Sequence, residues 1–252
     1  MTDRAKGWLV DLRPDERWDD EACCGDLPAE ETRMADRLCD SASAATYIRA
    51  RSVIRRGLAG LLGEPPAEIR LASEVGGRPV LPDHPDWYVS WSRSKSLLLL
   101  AARYGEPVGV DLEVIRPISP AAGVLRTVYP RTAELGAVDQ SETFFTAWTL
   151  LEAAVKATGR GLARGARDVW LYRPSGESRC ALGGIRNAGE VPWSGRTEQF
   201  AVPGSSTRVM TAVVTKGFTD PIHVDAWQLP DRPPSPVTAA APRRLLRKEV
   251  SA

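Results

Sequence analysis

The sequence predicts an α+β fold, because two long helical segments and several short strands follow one another in irregular order. Regular alternation of strand and helix, which would indicate a parallel α/β sheet, is not seen. The chain has 252 residues, 43% of them hydrophobic, which is enough for one large core or two smaller ones. Each half carries one long helix and several strands, so two similar halves with a cleft between them are expected.

The N-terminal half is predicted to span residues 1–115. It opens with an apolar strand at residues 8–12 and a charged helix at 28–39. A longer helix at 44–62 ends at Gly63, a residue suited to a left-handed helix stop. The other predicted elements of this half are strands at 69–73, 87–91, 97–104 and 107–115, with a polar loop at 92–96.

The C-terminal half is predicted to span residues 116–229 and to contain the clearest helix of the chain, residues 141–162. Ser141 and Thr143 are suitable N-cap residues, no proline interrupts the segment, and Gly159 provides a stop. The other predicted elements are helical turns at 120–128 and from 132, then strands at 168–172, 199–202, 208–216 and 222–229. Residues 230–252 are rich in proline and poor in apolar side chains, which predicts a disordered tail.

Charge and rare residues exclude several classes of function. The net charge is only +1, so no overall field attracts nucleic acid or a membrane surface. The two histidines and four cysteines show no zinc spacing and give little support for a Ser-His-Asp triad. The N-terminus has no apolar leader, and no run reaches the roughly 18 apolar residues of a membrane span. We expect a cytoplasmic monomer that binds neither nucleic acid nor membrane.

Two carboxylates share one side of a predicted strand. Apolar residues alternate with the others in residues 108–114, so Asp111 and Glu113 lie on the same side. Like charges on a half-buried strand require compensation. Mg²⁺ binds a few carboxylates, keeps several waters and accepts phosphate oxygens, so it would provide that compensation. Taken alone, this motif is also consistent with a solvent-facing strand side.

The long helix carries a third carboxylate and a lysine. Trp148, Glu152 and Lys156 recur every four residues and therefore share one helix face. On an arbitrary helix, Glu152 and Lys156 would form a surface pair worth about 0.3–0.5 kcal/mol. The acidic pair earlier in the chain favours a functional interpretation instead.

Together these motifs resemble the surfactin-type (Sfp-type) 4′-phosphopantetheinyl transferases. The family pattern is G-[VI]-D-[IL]-E, followed by W-x-x-K-E-[AS]-x-x-K-x-x-G-x-G-L. The chain has GVDLE at residues 109–113 and WTLLEAAVKATGRGL at 148–162. Further matches in the expected order are RRGL at 55–58, GRP at 77–79, and SWSRS at 90–94, where the family has N-x-S-H-S.

The resemblance implies a pseudo-twofold α+β fold with the active site in the cleft between two similar halves. It implies Mg²⁺-dependent transfer of the 4′-phosphopantetheine arm of coenzyme A, the substrate, to a serine of an acyl or peptidyl carrier protein, releasing 3′,5′-ADP. Asp111, Glu113 and Glu152 would bind the metal. Glu152 would also act as the base on the incoming serine, and Lys156 would hold the pyrophosphate.

The resemblance also implies contacts to coenzyme A, some of them at altered positions. Arg78 and Pro79 would flank the adenine, while Ser92 and Arg93 would contact phosphates. Arg93 stands where the family has histidine, and Ser90 where it has asparagine. Thr46 stands where many relatives have an arginine for the 3′-phosphate, with Arg49 within reach of the same site.

Leu151 is the departure that most affects the expected activity, because the family has lysine there. A lysine stem at this position could reach the pyrophosphate or the carrier protein. Leu151→Lys is therefore expected to speed transfer, unless Leu151 packs in the core, where a lysine would cost stability. The alternative function is a homologue repurposed for other chemistry, or for a non-catalytic binding role, in a biosynthetic pathway.

Overall fold

The computed structural model describes residues 5–138, 141–217 and 222–230. Its helices are α1 (Asp20–Gly25), α2 (Ala29–Ala35), α3 (Ser41–Leu62), α4 (Ala121–Val128), α5 (Ser141–Thr158) and α6 (Leu162–Gly165). Its strands are β1 (Ala5–Asp11), β2 (Ala72–Ser73), β3 (Pro79–Val80), β4 (Trp87–Ser94), β5 (Leu97–Tyr104), β6 (Val108–Val114), β7 (Val169–Tyr172), β8 (Ala181–Ile185), β9 (Trp193–Ala201), β10 (Arg208–Lys216) and β11 (Val224–Ala226). Two 3-10 helices lie at Pro66–Glu68 and Thr132–Leu135.

The fold class is α+β, as predicted. The described strands form a six-stranded sheet in the order β11-β1-β5-β4-β3-β2, a three-stranded sheet in the order β6-β10-β9, and the pair β7-β8. Neighbouring strands in these sheets run antiparallel, except for β1 and β11, which are parallel.

The two larger sheets pack face to face, with one long helix on each outer side. Alternate residues of β5 show this arrangement, because Leu98 packs in a cluster with Ile54 of α3, whereas Leu99 packs in a cluster with Val110 of β6. Helix α5 covers the other face of the three-stranded sheet, against β6 and β10, and Met210 of β10 belongs to its core cluster. The strand that carries the acidic pair therefore lies between the large sheet and α5.

The hairpin between β4 and β5 differs from the prediction. A loop was expected at residues 92–96, but β4 continues to Ser94 and only Lys95 and Ser96 form the turn. Lys95 has a φ of 54°, a left-handed conformation of the kind that two-residue hairpin turns use. The prediction was wrong because the polar side chain of Ser92 points towards a neighbouring strand and is buried there.

The stop predicted at Gly159 is confirmed, because α5 ends at Thr158 and Gly159 takes a φ of 69°. The predicted range ran on to Leu162, where the separate helix α6 begins. Two elements were not predicted. Helix α1 was not predicted; it has six residues and is capped by the Asp19 side chain. Strand β8 was also missed, because it contains two glycines, a residue with low strand propensity.

The division into residues 1–115 and 116–229 stays a prediction. Strand β6 of the first range pairs with β10 of the second, and β11 pairs with β1. The predicted tail, residues 230–252, lies outside the described residues except for Pro230. No helix in the described ranges is both long and apolar enough to cross a membrane.

Candidate active site

A pocket lies where the C-terminal part of α5 meets the large sheet. Its wall is formed by residues 76–79, strand β4, the end of α5 and the loop that follows it. Four of the predicted site residues line it together: Arg78, Pro79, Glu152 and Lys156. The other lining residues are Gly76, Gly77, Ser90, Trp91, Val155, Gly159, Gly161 and Leu162.

The acidic strand β6 approaches α5 very closely at one glycine. A Cβ atom at Gly109 would lie 2.0 Å from the carbonyl oxygen of Ala153 and 2.4 Å from the amide nitrogen of Ala157. Only glycine fits such a close approach of two backbones. The contact brings Asp111, two residues further along β6, within reach of Lys156 on α5.

Asp111 is buried, and one of its two carboxylate oxygens is bound. Its Oδ1 accepts hydrogen bonds from Lys156 Nζ at 2.7 Å and from Ser92 Oγ at 2.6 Å. Its Oδ2 is buried with no hydrogen-bond partner among the described residues. Burial raises the pKa of Asp111 above its usual value, although the charge of Lys156 and the two hydrogen bonds act in the opposite direction.

Glu113 lies on the same side of β6 and is less buried. Its Oε2 accepts a hydrogen bond from Ser94 Oγ at 2.9 Å and a longer one from Arg116 at 3.4 Å. Both carboxylates of the predicted pair therefore accept from serines of β4, Asp111 from Ser92 and Glu113 from Ser94.

Glu152 lies close enough to both other carboxylates to be affected by their charge. Burial raises its pKa above the usual value, and the charges of Asp111 and Glu113 act in the same direction, while Lys156 opposes them. No three acidic, histidine or cysteine side chains of the described ranges converge in metal-binding geometry. The cation that contacts Asp111 is the ammonium of Lys156.

The donor set of this site nonetheless fits a hard divalent cation. Three carboxylates lie here with two cations, Lys156 at Asp111 and Arg116 at Glu113, and Asp111 Oδ2 is buried without a hydrogen-bond donor among the described residues. A buried charge that lacks full compensation is costly. Carboxylate oxygens are the ligands that Mg²⁺ takes, together with water and substrate phosphate. Asp111, Glu113 and Glu152 are the residues that would hold such an ion.

The Gly-Arg-Pro turn lies against the loop that follows α5. A Cβ atom at Gly76 would lie 2.1 Å from the carbonyl oxygen of Gly159. Arg78 donates to both carboxylate oxygens of Glu74, at 3.0 and 2.8 Å, and its guanidinium lies 5.7 Å from the ring centre of Tyr88. These contacts give Arg78 a fixed position at the pocket wall.

Two predicted coenzyme A contacts, both arginines, lie away from this pocket, and a third, Ser92, is buried next to it with its hydroxyl bonded to Asp111 and Lys156. Arg93 is exposed and lines a second cavity together with Thr46 and Lys95. Arg49 is buried, and it donates to both carboxylate oxygens of Asp20 at 2.7 Å. The structure thus brings Arg93 and Thr46 together, and it gives Arg49 a protein partner.

Leu151 is fully buried in the core cluster around α5. Of the two alternatives for this position, packing in the core is therefore the correct one. A lysine at position 151 would place its stem among apolar side chains. The expected gain in activity from Leu151→Lys is accordingly replaced by an expected loss of stability.

Sequence reasoning missed three residues of the site. Trp91 lines the pocket, with the guanidinium of Arg51 at 5.5 Å from its ring centre. Ser94 binds Glu113, and Gly76 allows the close contact to the loop after α5. The alternating serines of residues 90–94 were an available signal for a strand. The assignment of Ser92 and Ser94 to a loop left the sides on which they lie undefined.

Comparison with known proteins finds a family match over the part of the chain that contains β6 and α5. The profile of the 4′-phosphopantetheinyl transferase superfamily matches residues 107–205, a range that contains β6 and α5. The 4′-phosphopantetheinyl transferase HetI of Nostoc sp. is 30% identical over 173 residues, which are 65% of this chain and 72% of that protein.

Two Bacillus relatives are similar over shorter stretches. The 4′-phosphopantetheinyl transferase Sfp of Bacillus subtilis is 29% identical over 102 residues, 38% of this chain and 44% of that protein. A 4′-phosphopantetheinyl transferase of Bacillus pumilus is 27% identical over 139 residues, 54% of this chain and 59% of that protein. The chain thus spans less than two thirds of either Bacillus protein.

Proposed function

We propose a function from one premise: this chain belongs to the 4′-phosphopantetheinyl transferase superfamily. The proposal is that it is an Sfp-type enzyme that transfers the 4′-phosphopantetheine arm of coenzyme A to a serine of an acyl or peptidyl carrier protein. The other product is 3′,5′-ADP. The observation that carries the proposal is one pocket wall on which Glu152 and Lys156 lie together with Arg78 and Pro79, with Asp111 bound to Lys156.

The metal would be held by Asp111, Glu113 and Glu152. Bound Mg²⁺ supplies neutralisation of charge on pyrophosphate oxygens, which is a large part of catalysis in phosphoryl transfer. The support in this chain is the buried Oδ2 of Asp111, which has no hydrogen-bond donor among the described residues, and the mutual influence of the three carboxylates.

Glu152 is the proposed base for the carrier serine. Its oxygen takes the serine proton while the serine oxygen forms a bond to the phosphorus of phosphopantetheine and the bond to 3′,5′-ADP breaks. A base works best when its pKa lies nearer the operating pH. Burial and the neighbouring carboxylates raise the pKa of Glu152, which moves it in that direction.

Lys156 is the proposed cation for the leaving group. Its ammonium contacts Asp111 and Ser92, and about a third of its side chain is exposed towards the pocket. A cation at this position would neutralise charge that develops on the departing 3′,5′-ADP. Its four-carbon stem allows it to reach substrate without leaving the wall of the pocket.

Coenzyme A would extend along the pocket and beyond it. Arg78 and Pro79 are the proposed adenine contacts, and Ser92 and Arg93 the proposed phosphate contacts. Arg93 and Lys95 place two positive side chains at the second cavity, and such cations bind phosphate through charge-assisted hydrogen bonds. A phosphate contact from Arg49 is the part of the proposal with the least support, because the phosphate would have to compete with Asp20 for the guanidinium.

A repurposed homologue is the second candidate, and Leu151 is the observation that favours it. The core at this position is built around leucine, where the family pattern has a lysine beside the metal ligand. A chain rebuilt in this way would keep the fold and the carboxylates, and it would bind coenzyme A without transfer. The cytoplasmic location and the monomeric state stay predictions under either function.

Intact mass spectrometry separates the two candidates. The protein is incubated with coenzyme A, Mg²⁺ and a panel of apo acyl and peptidyl carrier proteins. The expected result is a gain of one phosphopantetheine on at least one carrier, lost when its acceptor serine is changed to alanine. Coenzyme A binding by calorimetry with no mass gain on any carrier would contradict transfer and favour the repurposed homologue.

A further inference from the structure

We propose that Ser94 is a positioning residue that holds Glu113 in its metal-binding orientation. This inference rests on the proposed function, since it assigns a role relative to the proposed metal site. Its starting point is the edge of β6. Strand β6 ends the order of its sheet, so only one of its edges pairs with another described strand. The other edge faces β4.

Serine side chains of β4 bind the free edge of β6 in place of a backbone ladder. The amide of Val110 donates to Ser90 Oγ at 3.0 Å, and the amide of Val114 donates to Ser94 Oγ at 3.3 Å. Unpaired backbone amides of a buried strand need such acceptors. The serines at 90 and 94 therefore fix the position of β6 against β4.

Two serines of β4, one of them Ser94, bind carboxylates. Ser92 donates to Asp111, and Ser94 donates to Glu113 Oε2 at 2.9 Å. A hydroxyl has one proton to donate and two lone pairs with which to accept. Since Ser94 accepts from the backbone of β6, its oxygen is fixed, and its single proton is directed at Glu113.

Glu113 needs this restraint more than Asp111 does. Its side chain is 25% exposed and Asp111 is 6% exposed, so Glu113 has more freedom to turn. A second donor, Arg116, lies 3.4 Å from the same Oε2 atom, and about half of its side chain is exposed. Without Ser94, the remaining donor would pull Glu113 towards solvent and away from Asp111.

Four variants separate a positioning role from a structural one. Ser94→Ala removes both the bond to Glu113 and the bond to Val114. Ser90→Ala removes only a bond to the β6 backbone and no carboxylate contact. Ser96→Ala alters a serine of the same hairpin that binds Asp11 at 3.2 Å. Ser94→Thr keeps the hydroxyl and serves as the rescue.

The measurement is Mn²⁺ affinity by isothermal calorimetry on the full chain, with urea unfolding of each variant alongside. We expect Ser94→Ala to weaken Mn²⁺ binding by about 10- to 100-fold, the usual cost of losing a group that orients a metal ligand. Ser94→Thr should recover most of the affinity. Ser90→Ala should lower stability with less than about a threefold change in affinity, well short of that cost, and Ser96→Ala should leave affinity unchanged.

The outcomes distinguish this inference from the proposed function. Equal losses of Mn²⁺ affinity in Ser94→Ala and Ser90→Ala would show that both serines only hold β6 in place. Unchanged Mn²⁺ affinity in Ser94→Ala would show that Glu113 does not need Ser94 for its orientation. Either result overturns the role proposed for Ser94 and leaves the proposed function standing. Wild-type protein that binds no Mn²⁺ would overturn the proposed metal site, and the inference with it.

Discussion

The two long helices of this protein differ in how their charged side chains are paired. The four arginines of α3 all find carboxylate partners on α1, on α2 or at Asp26, the residue that follows α1, and two of the arginines share Glu31. On α5, Glu152 and Lys156 face Asp111 and Glu113, and these three carboxylates have two cations beside them: Lys156 at Asp111, and a half-exposed Arg116 at 3.4 Å from Glu113. The pairs made by α3 are Arg49–Asp20, Arg51–Glu31, Arg55–Glu31 and Arg56–Asp26.

Two glutamates show what this difference means. Burial acts to raise the pKa of Glu31, yet hydrogen bonds from Arg55 and Arg51 hold it below its usual value. Burial also raises the pKa of Glu152, and there neighbouring carboxylates add to the increase. A matched carboxylate stabilises the fold in its charged form. An unmatched one costs stability and is kept available for a cation or a proton.

The largest expected effect is the stability cost of a new positive charge in the core near the unmatched site. Leu151→Lys would bury an ammonium among apolar side chains, with a loss on the order of 4 kcal/mol or more. Burial would depress the pKa of this lysine, so the unfolded chain would bind more protons, and the loss should shrink as pH rises towards about 10. Urea unfolding at several pH values measures it.

The matched control at this position is Leu151→Met, which conserves volume and should cost less than about 1.5 kcal/mol. Faster transfer by Leu151→Lys at wild-type stability would contradict the burial argument. It would mean that the added ammonium reaches the site and restores the charge that the family pattern has there.

The second prediction concerns the ion pairs made by the arginines of α3. Asp26 has a fully buried side chain and accepts hydrogen bonds from Arg56 and Ser52, both at 2.6 Å. Asp26→Asn leaves Arg56 without its charge partner, which should lower the free energy of unfolding by about 3–5 kcal/mol. Urea denaturation gives the value.

Asp83→Asn is the comparison for Asp26→Asn, because the Asp83–Arg70 pair is exposed. Its loss should lower the free energy of unfolding far less than Asp26→Asn does, because water and salt screen an exposed pair. Similar costs for the two variants would show that burial does not set the value of the α3 pairs.

An aspartate-to-asparagine change at the three-carboxylate site should reduce activity and leave the free energy of unfolding nearly unchanged. Asp111→Asn removes one of three carboxylates at the proposed metal site, and transfer should fall by roughly 10²- to 10³-fold, the equivalent of a few kcal/mol of lost charge stabilisation. The free energy of unfolding should change by less than about 1 kcal/mol, because removing one of several repelling charges offsets the lost bonds to Lys156 and Ser92. Transfer kinetics and urea unfolding are measured on the same preparation, and a stability loss as large as that of Asp26→Asn would end the contrast between the two regions.

The smallest expected effect is a gain in stability from Glu152→Gln at neutral pH. A carboxyl whose pKa is raised in the folded state binds more protons there than in the unfolded chain, so its ionisation removes stability as pH rises through the folded pKa. Glutamine has no such charge, and the variant should therefore melt at a higher temperature than wild type at pH 7. The difference should disappear in acid, below the usual glutamate pKa of about 4.3.

Glu142→Gln, in the first turn of the same helix, should change the melting temperature in the opposite direction. Glu142 is partly exposed and paired with Arg179 at 3.0 Å, and a carboxylate at a helix N-terminus is stabilising. Its removal should lower the melting temperature slightly. A decrease of similar size for Glu152→Gln would mean that Glu152 is a matched charge like Glu31.

The elements that carry the site were predictable from the sequence, whereas the contacts between them were not. Period two placed Asp111 and Glu113 on one side of β6, and four-residue spacing placed Glu152 and Lys156 on one face of α5, because both periodicities are local. The partner of Arg49 and the serines that bind β6 depend on segments far apart in the chain. The sequence therefore suggested a phosphate contact for Arg49, which has a carboxylate partner in Asp20.

The contact at Gly109 has a consequence for how the site tolerates change. Since β6 and α5 meet backbone to backbone there, with only the methyl group of Ala157 beside them, no large side chain sets the spacing between the strand of Asp111 and the helix of Glu152. We therefore expect repacking of larger core side chains elsewhere to change the separation of the carboxylates little. Substitutions in the core should therefore disturb the site less than a change at position 109. A single methyl group added there would push β6 away from α5.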